Sequence, residues 1–261
     1  LHEPGGPAPK RPVTPAKAAL DPAIVEQVKA RLARAERPML VLGGSGWSDE
    51  ATTAIADWSE RIGLPVALSF RRKDLIANDQ SNYAGDLGLG PNPKLVQRMK
   101  DADLILAIGA RLGENPTQGY TLLTRERTAE TLVHIHPGPE ELGRVWPALL
   151  SATADCSLAA RALSQIDPGR NWKAQAQAAH ADYEAFIQPV QVTGAVNMSE
   201  VIRHLGAVLP DDAIITNGAG NFAAWLHRFH RHTARRTQLA PTSGAMGYGY
   251  PAAIAAKSVH P

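Results

Sequence analysis

The chain has 261 residues, 44% of them hydrophobic and only 5% aromatic, with 22 glycines and 20 prolines. That favours one large or two smaller α/β domains with many tight connections over a β-sandwich. A formal net charge of +2 gives no electrostatic case for nucleic acid or a membrane surface, and a single cysteine, Cys156, excludes an internal disulfide.

Residues 1–20 carry five prolines and no periodic apolar pattern, which reads as a stiff linker and not as a signal peptide. No apolar run approaches the ~20 residues of a membrane span. We expect a soluble, cytoplasmic protein and, from its start at Leu1 after no methionine, a piece of a longer chain whose preceding domain is missing. Asp21 can cap a helix with Pro22 in its first turn, and Ile24, Val28 and Leu32 share one face. "MLVLGG" (Met39–Gly44) predicts a buried strand running into a glycine turn, followed by a helix from about Ser48 with Ala51, Ile55, Trp58 and Ile62 at helical spacing. Further strands are predicted at Leu64–Phe70, Asp103–Gly109 and Thr131–His136, and helices at Lys94–Lys100 and around Asp155–Leu163. Strand and helix alternate across residues 21–167, the pattern of a parallel, Rossmann-like sheet with helices on both faces. Ligands of such sheets bind at strand carboxyl ends, here "GGSG", "SFRR", "GARLGE" and "HPGPEE".

Residues 168–195 read as a transition, with a polar helix at Trp172–Phe186. A second, truncated α/β unit is expected over residues 196–261. Asn197 with Glu200 fits a capping box before a face of Met198, Val201, Ile202 and Leu205. "DAIITNGAGN" (Asp212–Asn221) predicts a strand entering a glycine turn, "FAAWLHRFH" a helix on that turn, and "RRTQLAP" a short strand. "TSGAMGYGYPAAIAAK" then ends in a small-residue helix from about Pro251.

Three stretches could carry chemistry. "TNGAGNFAAW" has the strand–turn–helix form that receives a phosphate on backbone N–H groups, but also that of an ordinary tight turn, and no Walker lysine follows. "GGSGWSD" (Gly43–Asp49) lacks a complete G-x-G-x-x-G and reads more simply as packing. In "GAMGYG" the bulky Met246 stands among glycines, where it is either a core gap-filler or part of a ligand site between two glycine turns. The histidines of "HRFHRH" (His227–His232) have no acid or cysteine to complete a zinc set and read as a solvated or interface helix end. Cys156 reads as a buried small residue.

"GAMGYGYPAAIAAK" (Gly244–Lys257), preceded by "TNGAGNFAAWLHRF", closely resembles the C-terminal cofactor domain of thiamine-diphosphate-dependent enzymes, nearest the acetolactate synthase-like carboligases and decarboxylases. "RPMLVLGGSG", "GLPVALS", "DADLILAIGARL" and "LVHIHPGPEEL" follow in the order of that family's central domain, so the resemblance covers nearly the whole chain. It implies that Ala219, Gly220, Asn221 and Phe222 contact the cofactor diphosphate. It also implies that the Gly244 carbonyl accepts a hydrogen bond from the aminopyrimidine, and that Ala245 and Met246 lie beneath the bend between the two rings, with Met246 as the wedge. The bent cofactor supplies a carbon nucleophile for 2-oxo acids. In flavin-containing members the central domain holds FAD, and Gly44, Ser45, Arg111 and Asp155 match positions lining that pocket.

Two departures stand out: Phe222 replaces a frequent histidine, and His136–Pro137 stand where an acid is usual. The activating glutamate is expected before Leu1 and the Mg²⁺-binding Gly-Asp-Gly segment after Pro261. The resemblance therefore implies thiamine diphosphate with Mg²⁺, a small 2-oxo-acid substrate, a homodimer or homotetramer in the full-length protein, and a fragment inactive alone. Two other readings are a nucleotide-binding module for NAD or ADP-ribose and a purely structural domain. The first leaves Gly244–Lys257 unexplained.

Overall fold

The computed structural model of the protein describes residues 16–260, so the linker expected over residues 1–20 lies largely outside them. At its end, Leu20 is buried in the core and the Ala18 carbonyl accepts from the Asp155 N–H at 2.9 Å.

Helix α1 (Pro22–Leu32) begins as expected, with the Asp21 carboxylate accepting from the Ala23 N–H at 2.8 Å. Strand β1 (Pro38–Leu42) leads to α2 (Asp49–Arg61), whose N-cap is Ser48. Strands β2 (Val66–Leu68) and β3 (Tyr83–Asp86) precede α3 (Pro93–Asp101) and β4 (Leu104–Ile108). A short α4 (Arg125–Thr131) runs into β5 (Leu132–His136), and β6 (Leu150–Thr153) leads to α5 (Cys156–Leu163) and α6 (Lys173–Phe186).

The six strands form one parallel sheet in the order β3-β2-β1-β4-β5-β6. Alternate side chains feed two cores, as a sheet covered on both faces requires. Leu40, Leu42, Leu106 and Ile135 enter a cluster with Ile55, Trp58 and Leu163, while Met39, Val41, Ile105 and Leu132 face Leu95 and Met99. Burying each such large side chain is worth about 1.5–3 kcal/mol before entropy. The chain reverses its winding direction between β1 and β4, which opens a crevice beyond their carboxyl ends. The backbone crosses itself tightly there: a Cβ on Gly44 (φ +69°) would lie 2.2 Å from the Gly109 carbonyl oxygen.

The stretch 168–195 is not simply a connection. Helix α6 packs on β3 and α3, with Tyr83 and Tyr183 edge to face at 4.7 Å and Asp182 paired to Lys94 and Arg98.

The second unit comprises α7 (Met198–Val208), β7 (Ile215–Thr216), α8 (Phe222–Phe229), β8 (Gln238–Leu239) and α9 (Gly249–Val259), with β7 and β8 a parallel pair. The capping box does not form, because Asn197 accepts from the Ser199 N–H at 3.0 Å while Glu200 pairs with Arg203 at 2.6 Å. Of the apolar face expected on α7, Ile202 is buried but Val201 and Leu205 are exposed. A two-stranded sheet is too small to cover them.

Candidate functional site

All four predicted strand ends line one cleft of about 700 Å³ at the β1/β4 reversal. Gly44 and Ser45 follow β1, Ser69 and Arg72 follow β2, Gly109 and Arg111 follow β4, and His136 ends β5. Thr242 and Ser243 of the second unit form another part of its wall. Arg111 pairs with Glu141 at 3.4 Å, and Glu141 also takes Arg144 at 2.8 Å. Arg72 Nε is buried with no partner among the described residues, a donor left over for an acidic ligand. Asp155 does not line this cleft; its carboxylate accepts from the Ser157 and Leu158 N–H groups at 3.0 and 3.1 Å and caps α5. At the end of β5 the His136 Nδ1 accepts from the Gly138 N–H at 3.0 Å.

In the second unit the two glycine turns meet. A Cβ on Gly249 would stand 2.8 Å from the Gly218 nitrogen and 2.9 Å from the Asn217 carbonyl carbon, so glycine alone permits this approach. Thr216 Oγ1 donates to the Gly249 carbonyl at 2.8 Å and ties β7 to the start of α9. The starts of α8 and α9 therefore lie side by side, and neither Asn221 nor Tyr248 caps its helix with a side-chain bond. Both helices present the positive end of their dipole there, although the Ala223 and Ala224 N–H groups of α8 already bond the Gly220 and Asn221 carbonyls at 3.1 Å. Asn217 is buried, and its Oδ1 has no partner among the described residues. Gly220 (φ +145°), Asn221 and Phe222 are exposed, as are Gly244 (φ +72°), Ala245 and Met246, the last with 87% of its surface open. Ala219, directly before Gly220, is half-buried.

Residues 25–163, more than half the chain, match the family described as "Thiamine pyrophosphate enzyme, central domain". The chain belongs to the thiamine pyrophosphate enzyme family. Relatives extend the similarity past that domain. The large subunit of acetolactate synthase isozyme 2 from Escherichia coli (strain K12) is 24% identical over 91% of this chain and 42% of its own. Sulfoacetaldehyde acetyltransferase from Rhodobacter capsulatus is 25% identical over 92% of this chain and 45% of its own. A probable 2-ketoarginine decarboxylase of Pseudomonas aeruginosa is 28% identical over 87% and 40%. The chain thus spans less than half the length of these relatives.

The residues present fit one half of a thiamine diphosphate site. Paired helix starts, a Gly220 turn open to solvent and the orphaned Asn217 Oδ1 suit a bound anion with amino donors. Among the described residues no cluster of His, Cys, Asp or Glu could hold a metal ion, and no helix is long and apolar enough to cross a membrane.

Of the two readings of "HRFHRH", a solvated or an interface helix end, the structure bears out the second. His227, His230 and His232 are all buried at the joint between the two units. Burial and the nearby Lys73 cation hold the His227 and His230 imidazoles down to about 4. Segment 71–78, after β2, supplies the other side of the joint: Asn78 and His232 exchange backbone and side-chain bonds at 2.8 and 2.9 Å. The Lys73 N–H donates to Gln238 Oε1 at 2.9 Å. These joint residues were not legible as such, since a charged "RRK" after a strand reads as surface. Cys156 is buried as expected, and its thiol is pushed up to about 11 by burial and by Asp155.

Proposed function

We propose that this chain forms the central domain and the first part of the diphosphate-binding domain of a thiamine-diphosphate-dependent 2-oxo-acid carboligase or decarboxylase, nearest acetolactate synthase in activity. The observation that carries this reading is the meeting of two glycine turns, which sets the uncapped starts of α8 and α9 side by side. When bound, thiamine diphosphate supplies a carbon nucleophile for 2-oxo acids and an electron sink after decarboxylation.

On this reading Ala219–Phe222 hold the diphosphate through backbone N–H groups and the Asn221 amide. The Gly244 carbonyl would accept a hydrogen bond from the aminopyrimidine and so orient it. Met246, apolar and uncharged, supports the bend by packing, with Ala245 and the flanking glycines leaving room. Phe222 adds surface but no side-chain donor. Mg²⁺ and the activating carboxylate come from parts of the protein other than residues 16–260, and the assembled protein is a cytoplasmic homodimer or homotetramer.

A second reading concerns the central cleft. The unpartnered Arg72 Nε and the exposed Arg111 favour an anionic ligand there, FAD or another nucleotide. Gly44 and Ser45 border the space its phosphates would occupy. His136, and not an acid, ends β5.

The test is the full-length gene product with pyruvate, thiamine diphosphate and Mg²⁺. Acetolactate should form. If cofactor binds but acetolactate is absent, the synthase assignment falls and another 2-oxo acid is the substrate; if cofactor does not bind, the whole reading falls. The isolated chain should bind thiamine diphosphate more weakly than micromolar by calorimetry.

A further inference from the structure

Lys73 is the most deeply buried cation at the joint, with 3% of its surface exposed. Its Nζ donates to the carbonyls of His227 and His230, both at 2.7 Å, and lies 5.9 Å from the centre of the Tyr183 ring. These carbonyls belong to the final turn of α8 and the residue that ends it. The last carbonyls of a helix lack intrahelical partners, and a cation there also suits the dipole. Beside Lys73, Arg71 reaches His227 Nε2 at 3.1 Å from a left-handed backbone (φ +61°), a conformation that a non-glycine residue holds only when its surroundings enforce it. The opposite end of α8 is the Gly220–Phe222 turn. Eight residues span only ~12 Å, so the helix transmits position from one end to the other.

We infer that Lys73, a residue of the central domain, is a positioning residue for the cofactor turn of the second domain, because it holds the far end of the short helix that carries that turn. This rests on the reading of Gly220–Phe222 as the diphosphate turn. Lys73 touches no cofactor itself; it sets where α8 starts relative to Gly249 and to the central cleft.

The experiment uses the full-length gene product with Mg²⁺ and thiamine diphosphate. Lys73→Met should weaken cofactor affinity by at least about tenfold and speed amide exchange in α8 by a similar factor, while α2 and α5 stay protected. Lys73→Arg should restore most of the affinity. A second measurement needs no variant: coupling is reciprocal, so cofactor binding to the natural protein should slow exchange across residues 71–78 as well as at Gly218–Phe222. Affinity of Lys73→Met within about twofold of the natural protein would overturn the inference. So would protection confined to the second domain, and this second arm decides the matter if Lys73→Met does not fold. Absence of any cofactor binding by the natural protein would instead sink the functional reading on which the inference rests.

Discussion

Arg71 donates from Nη1 to His227 Nε2 at 3.1 Å across the joint between the two units. A guanidinium can only donate, so the imidazole accepts and is neutral, with its proton on Nδ1. His232 Nδ1 donates to Thr237 Oγ1 at 2.8 Å, because the hydroxyl proton already goes to the Ala234 carbonyl at 2.8 Å, and burial keeps that ring neutral.

Acid should therefore open this joint. Burial holds His227 and His230 down to about 4 and His232 to about 2, against 6.5 for a free imidazole. Below pH 6.5 the unfolded chain takes up protons that the folded chain refuses. The stabilisation is complete above that pH and is lost as pH falls toward 4, by up to about 1.4 kcal/mol per pH unit for each imidazole. Urea unfolding should show a midpoint dropping between about pH 6.5 and pH 5, before ordinary carboxylates titrate. His227→Gln should flatten the slope. A midpoint unchanged over that interval would contradict the burial of these rings.

Gly249→Ala should separate the two glycine turns. Its new methyl would overlap backbone atoms of Asn217 and Gly218, which cannot swing aside as a side chain can. We expect a loss of about 1–3 kcal/mol and weakened cofactor binding in the full-length protein. Gly206→Ala is the matching control, since it lies within α7 with nothing near its Cβ. That change should stabilise by roughly 0.5–1 kcal/mol. Equal effects at the two positions would mean that the turns do not touch.

Met246→Ala separates a ligand role from a packing role. With 87% of its surface exposed, the side chain supports no core, and its loss should leave the unfolding midpoint within about 0.5 kcal/mol. Cofactor-dependent turnover of the full-length protein should nonetheless fall roughly ten- to hundredfold, because the reacting groups lose their alignment. Retained turnover would return Met246 to the status of an ordinary surface methionine.

Asp155→Ala should cost about 1 kcal/mol through loss of the α5 cap, and Asp155→Asn should keep most of that stability. Neither change should alter the flavin or nucleotide content of the full-length protein, since Asp155 lies off the central cleft. A ligand lost from a fully stable Asp155→Asn protein would show instead that the carboxylate faces the ligand.

Much of this architecture is decided locally. Short continuous apolar runs such as Met39–Leu42 and Leu104–Ile108, each ending in a glycine turn, read as strands buried on both faces, and Asp21, Ser48 and Asp155 start their helices because their side chains reach the first free N–H groups. The glycine turns at Gly43–Gly46, Gly218–Gly220 and Gly244–Gly249 are equally plain in the sequence. What stayed hidden depends on distant partners. Strands β3 and β6 are four-residue edge strands, one interrupted by Gly85 and the other half-exposed, and they become strands only beside β2 and β5. The Lys73 ammonium and three imidazoles look like surface chemistry until residues 154 or more positions apart meet and shield them from water. Hydrogen-bond reach and hydrophobic period act over a few residues and are written in the sequence. Desolvation depends on everything that surrounds a group, so only the tertiary structure decided which charges are buried and which glycines touch.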